Sequence, residues 1–192
     1  FFQPSLTFYF SAGMSFTTSL TVTSTMTTIT QASVLSSDAE AIAAAQHIAE
    51  QAKSGAVERD QQRIYPLALL NQFTQMGLGS ISVPKQFGGA GLSFQTVAEV
   101  FRLISARDPS LGQIPQNHFG LIQFLLGEGT PSHQQQLLRA VPQGQRPGNG
   151  GPVKTSKHTR EALIPVLASA QGLAISGETF YSTAAFLAPT TV

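Results

Sequence analysis

Apolar positions recur at helical spacing from about residue 37 to residue 140 and fall into short runs after that. Ser37-Asp38-Ala39-Glu40 opens the first periodic stretch as a capping box, a Ser cap with Glu three places on. Ile42, Ala45, Ile48, Ala49 and Ala52 follow at three- and four-residue intervals, which predicts a helix to Lys53 with one small-residue face inward. Ser54-Gly55 stops it, and Glu58-Arg59-Asp60 reads as a charged connector. Pro66 opens a second helix as a first-turn proline, with Leu67, Leu70, Phe73 and Met76 inward and Gly77 at its end. Residues 79–83 read as a short extended piece closed by Pro84.

The run PKQFGGAG at 84–91 is predicted to be a loop, its glycines marking positive φ or a close backbone approach. Ser93 caps a third helix over 94–105, with Val97, Val100, Phe101 and Ile104 inward. Asp108-Pro109-Ser110 breaks the chain and caps the segment 108–124, DPSLGQIPQNHFGLIQF. That segment carries Gln113, Gln116, Asn117 and His118 among residues apolar enough to be buried. Each polar group there needs a partner, from the fold or from a ligand, because an unpaired one costs about 1–3 kcal/mol. Residues 127–130 read as a turn, and Pro131 starts a last helix to Ala140. After Pro142 the pattern changes. Four glycines and one proline fall within 144–151, and short β-prone runs follow at 163–169, 173–176, 179–183 and 186–192.

Composition narrows the function classes. The 192 residues are 42% hydrophobic and 11% charged, with a formal charge of +1. That balance, with no Lys/Arg run, argues against a nucleic-acid footprint. No window reaches the roughly 18 apolar residues of a membrane span. The stretch 1–30 has no charged residue and lacks the basic start of a secretory signal. Met14 or Met26 is the expected start, and 1–36 is expected to be a leader or upstream sequence outside the fold. The chain has no cysteine, which excludes disulfides and thiolate metal sites and fits a cytoplasmic location.

Four histidines are present, none at metal-ligand spacing, so no metal site is expected. GNGGPVKTS at 148–156 fails as a phosphate loop, because Val153 stands where glycine must precede the lysine. Neither a nucleophile elbow nor a dinucleotide glycine motif occurs. His118 reads either as a structural histidine or as a pocket donor or proton carrier. Asn149 reads as a turn residue or a polar site residue, and Ser182 and Thr183 as strand residues or site hydroxyls.

The order helix, helix, short piece, P-x-x-x-G-G-x-G at 84–91, helix, long helix and then β resembles the N-terminal half of the acyl-CoA dehydrogenase superfamily. GLAISGETFYST at 172–183 resembles that family's middle-domain hairpin. GQIPQNHF at 112–119, Gly148-Asn149 and FYST at 180–183 resemble its sulfur-acquisition branch, the dibenzothiophene-monooxygenase-like flavin monooxygenases. The resemblance covers about 38–192. It implies an α+β chain: a helical N-terminal domain at 37–143, then the first strands of a truncated middle β-barrel at 144–192. A C-terminal helical bundle would complete the intact parent, a homotetramer.

The implied cofactor is a reduced flavin, FMN or FAD, with molecular oxygen, a flavin reductase and a small organosulfur substrate as partners. Tyr181, Ser182 and Thr183 correspond to residues beside the flavin ring. His118 and Asn149 would supply hydrogen-bond donors to its oxygen adduct, and Gln116, Asn117 and Phe119 would line the substrate pocket. The chain departs from the family pattern at Thr179, at Ala184 and across 150–158, which argues against a plain acyl-CoA dehydrogenase. Without the bundle the chain is expected to be inactive alone. Two other readings stay open, an FAD-dependent acyl-CoA dehydrogenase and a non-catalytic helical module acting by association.

Overall fold

The structure, a computed structural model, describes residues 32–148 continuously and the strands Thr7–Phe10, Val166–Ser169, Gly172–Ser176 and Thr190–Thr191. The chain falls into two compact units, and the larger holds the helices. These are α1 (Asp38–Lys53), α2 (Ala56–Gln62), α3 (Leu67–Gln75), α4 (Phe94–Ser105), α5 (Pro109–Gln113), α6 (Gln116–Glu128) and α7 (Pro131–His133). Helix α7 runs on into a π-helical turn, Gln134–Leu138.

Helix α1 forms where its capping box predicts. Ser37 Oγ accepts from the Glu40 amide at 3.3 Å. The Glu40 carboxylate reaches one residue further back than the usual box and accepts from the Ser36 amide at 2.7 Å. That bond, first among the causes, holds the Glu40 carboxyl below its ordinary pKa. Its buried face is Ala41, Ala44, Ala45, Ile48, Ala49 and Ala52. The small residues let α1 lie close against α4, which buries Thr96, Val97, Val100 and Ile104. Thr96 Oγ1 donates to Asp38 Oδ1 and joins the two helix starts.

Three expectations change. The expected connector 58–60 lies inside α2, because Arg59 spans back to Asp108 and anchors a helix that has no buried apolar residue of its own. Residues 79–83 are not extended. Leu78–Ser80 is a 3₁₀ turn, and the loop after Pro84 folds back on it through Ala90 N to Ser80 O, Leu92 N to Ile81 O and Gly91 N to Val83 O. Ile81 and Val83, which look strand-like in sequence, are buried by that loop. The helical unit also begins earlier than residue 37. Ala32 is buried, and the Ser33 amide donates to Gln75 O at 2.9 Å.

Two glycines explain the tight passages. Gly77 ends α3 at φ +84°, and a Cβ there would sit 2.1 Å from Ser33 O. At Gly89 a Cβ would meet Val83 O at 2.2 Å. The Gly89→Ala variant is expected to lose about 1–3 kcal/mol, as overpacked sites do. Urea unfolding checks this, and a variant as stable as the parent would show that the loop yields without cost.

In the smaller unit, β1 (Thr7–Phe10) pairs antiparallel with Gly172–Ser176, and Val166–Ser169 pairs antiparallel with the other edge of Gly172–Ser176. Thr7–Phe10 lies in the stretch expected to be outside the fold. In the larger unit, Pro147–Gly148 forms a short parallel bridge with Thr190–Thr191. The expected run 179–183 lies outside the described residues.

Candidate functional site

Helices α5 and α6 carry the polar run of 108–124, and their geometry divides it. Asp108 caps α5 by accepting from the Leu111 amide at 3.0 Å, and Pro109 takes the first helical position. Pro115 then starts α6. One helical turn separates inside from outside. Gln113 and Gln116 face solvent, Asn117 is half-buried, and His118 and Phe119 are buried. Of Gln113, Gln116, Asn117 and His118, only His118, 6% exposed, is sunk in the core.

His118 Nε2 lies 2.7 Å from the Gly79 carbonyl oxygen. A carbonyl only accepts, so the shared proton sits on Nε2. The other ring nitrogen, Nδ1, is buried with no hydrogen-bond partner. Burial holds the His118 pKa below its ordinary value; the Gly79 carbonyl opposes this, and the nearby Arg146 charge adds to it. A neutral imidazole with Nε2–H engaged offers an acceptor at Nδ1. The donor role that the sequence implied for His118 therefore has no proton to use in this state.

His118 lines a cavity of about 20 Å³, room for about one water molecule. Its walls come from α3 (Leu70, Phe73, Thr74), the Gly79–Ser80 turn, the Ile114-Pro115 junction, and Ala32 and Val141. Arg146 lies at the same cavity, where its Nη1 donates to Asn71 Oδ1 at 2.8 Å and to Thr74 Oγ1 at 3.2 Å. Asn71 and Thr74 stand three residues apart on one face of α3, which is the spacing that lets both meet one guanidinium. Sequence reasoning missed this trio, since nothing local links positions 71 and 74 to 146.

The other expected site residues separate. Gln116 points to solvent, and Phe119 packs in the core, edge-on to Phe101 at 5.5 Å and to His118 at 5.3 Å. Neither lines this cavity, nor does Asn117. Asn149, Tyr181, Ser182 and Thr183 lie outside the described residues. Among the described residues no group of three or more His, Asp or Glu is placed to hold a metal. No described helix is long and apolar enough to cross a membrane.

Residues 37–145 match the family described as acyl-CoA dehydrogenase, N-terminal domain. The chain belongs to that family. Within it, the chain is 31% identical over 106 residues to the dibenzothiophene monooxygenase of Rhodococcus erythropolis. The matched stretch is 55% of this chain and 25% of that enzyme, so the chain spans about a quarter of the curated relative it matches. Two solved structures share the acyl-CoA dehydrogenase fold. The FMN-bound TdsC of Paenibacillus sp. A11-2 superposes with a TM-score of 0.65 at 23% identity, over 74% of this chain and 36% of TdsC. Butyryl-CoA dehydrogenase of Megasphaera elsdenii gives 0.67 at 13% identity, over 79% of this chain and 42% of that enzyme. The helical part of the expected fold is thereby established: 37–145 is an acyl-CoA dehydrogenase N-terminal helical domain.

Proposed function

We propose that this chain is part of a flavin-dependent monooxygenase that uses reduced FMN or FAD and molecular oxygen on small organosulfur compounds. The 31% identity to dibenzothiophene monooxygenase carries this reading. On it, the strands after residue 144 open a middle β-domain, and a flavin reductase in the cytoplasm supplies the cofactor. The active protein is a homotetramer completed by a further helical domain.

The cavity at His118 is far too small for a tricyclic flavin ring. We assign the flavin to Tyr181, Ser182 and Thr183, with Asn149 as a hydrogen-bond donor facing it. When bound, it supplies the oxygen chemistry, while the protein orients and shields it. His118 belongs to the helical wall. With its proton spent on Gly79, it can accept from a donor on substrate or water, and its low pKa keeps that lone pair available through neutral pH.

Titration of this chain with FMN and FAD, followed by flavin fluorescence, is expected to show weak binding, because the chain spans about a quarter of the relative on which the reading rests. Tight stoichiometric binding would show that the further helical domain is not needed to hold the flavin. The activity itself is tested on the whole gene product containing this chain, supplied with a flavin reductase and oxygen. Oxygenation of dibenzothiophene or benzothiophene at sulfur is expected. Reduction of bound flavin by an acyl-CoA, with no oxygenated product, would favour the dehydrogenase reading instead.

A further inference from the structure

The segment Ala32–Ser36 contributes Ala32 to the wall of the His118 cavity, and its attachments differ from those of the other walls. Ala32 is buried and lines the cavity. Ser33 makes the segment's backbone bond to the helical body, from its amide to Gln75 O at 2.9 Å. Leu35 packs beside Gly77, and Val34 faces solvent at 56% exposure. Gly77 has no Cβ because Ser33 O occupies that space, so the groove that receives the segment is built for it. At Ser36 the chain is pinned: its amide and hydroxyl both donate to the Glu40 carboxylate. The remaining walls belong to helices with interior faces in the core, or to the 141–147 turn, which Arg146 fastens to Asn71 and Thr74.

We infer that Ala32–Ser36 is a strap that opens about Ser36 to admit ligand to the His118 cavity while the helices stay folded. A segment held by one backbone bond and two apolar side chains opens locally at lower cost than the wall helices α3 and α6, which bury three and four residues along their lengths. The closed cavity holds about one water, so any larger ligand must move a wall, and among the described residues this wall is the least fastened. With the strap away, the cavity that Ala32 and His118 both line opens to solvent on the side of Ala32. The inference rests on the geometry of the strap and does not depend on the flavin reading.

Two readouts on this chain test it. In native-state hydrogen exchange, the Ser33 amide is expected to exchange at least about a hundredfold faster than the amides of Ile48 and Val100, as local openings do relative to global ones. Diethyl pyrocarbonate, which acylates unprotonated imidazole, is expected to modify His118 slowly in the parent. In Ser33→Pro, which lacks the donating N–H, the rate should rise by about tenfold or more, with the exposed His47 as internal reference. A deletion of residues 1–35 retains the Ser36–Glu40 and Ser37 caps and should raise the rate at least as much. Exchange of Ser33 only at the global rate would overturn the inference. So would an inert His118 in the folded deletion variant. Loss of the helical circular-dichroism signal in both variants would do the same, because the segment would then be core and unable to open alone.

Discussion

Asp108→Ala is expected to cost about 3–5 kcal/mol, the scale of breaking a buried ion pair from one side. The Asp108 side chain is 3% exposed, and that of Arg59 is 16% exposed. Asp108 Oδ2 accepts from Arg59 Nε at 3.0 Å and from Nη2 at 2.7 Å, while Oδ1 caps α5. The same guanidinium donates to Ser54 O at 2.9 Å and also to Ala52 O, at the end of α1. One arginine thus joins the end of α1, all of α2 and the start of α5. Removing the carboxylate strands a cation in a mostly buried place, which costs more than the pair itself contributes. The double variant Arg59→Leu, Asp108→Ser should recover most of the loss, since serine still caps α5 and no charge is left unpaired. Urea unfolding followed by circular dichroism measures both. A single-variant loss under about 1 kcal/mol would mean that the pair behaves like an exposed one.

His118→Gln is expected to lower product formation in the whole enzyme by about two orders of magnitude, in the range of a lost proton-handling or oriented polar group. Stability should be nearly unchanged. The Gln amide NH₂ takes the place of Nε2–H and can still donate to Gly79 O, but no acceptor remains at Nδ1. His118→Phe removes both, and should also lose about 1–3 kcal/mol because the Gly79 carbonyl is left without that donor. The pair of variants therefore separates the structural bond from the chemical one. The same residue sets a pH dependence. The folded-state pKa lies below the ordinary histidine value of about 6.5, so below that pH the unfolded chain binds a proton that the folded chain does not. Stability from this group is complete above about pH 6.5 and is lost as pH falls toward the lowered folded value. In His118→Gln that part of the acid sensitivity should vanish. Full product formation in the glutamine variant, with only the phenylalanine variant unstable, would make His118 purely structural.

Local rules made α1, α4 and α5 legible, because a cap and a spacing of apolar residues lie within a few positions of each other. Ser37, Ser93 and Asp108 each accept from the amide three residues on, as their sequence context predicts. Helix α2 was not legible: its seven residues bury nothing, and its anchor is a carboxylate 49 positions away. The piece 79–83 misled because Ile81 and Val83 are buried by a returning loop, not by a neighbouring strand. His118 stood out as a polar residue in an apolar run, but its tautomer depends on a carbonyl 39 residues earlier. The family resemblance groups Gln116 and Phe119 with it, and α6 turns the first to solvent and the second into the core.

The most direct test of this account is the protonation state of the two ring nitrogens of His118. Nitrogen NMR of the chain labelled in histidine is expected to show His118 with a protonated Nε2 and a bare Nδ1, unchanged as pH falls through the ordinary histidine range. A proton on Nδ1, or titration at the ordinary histidine value, would contradict it.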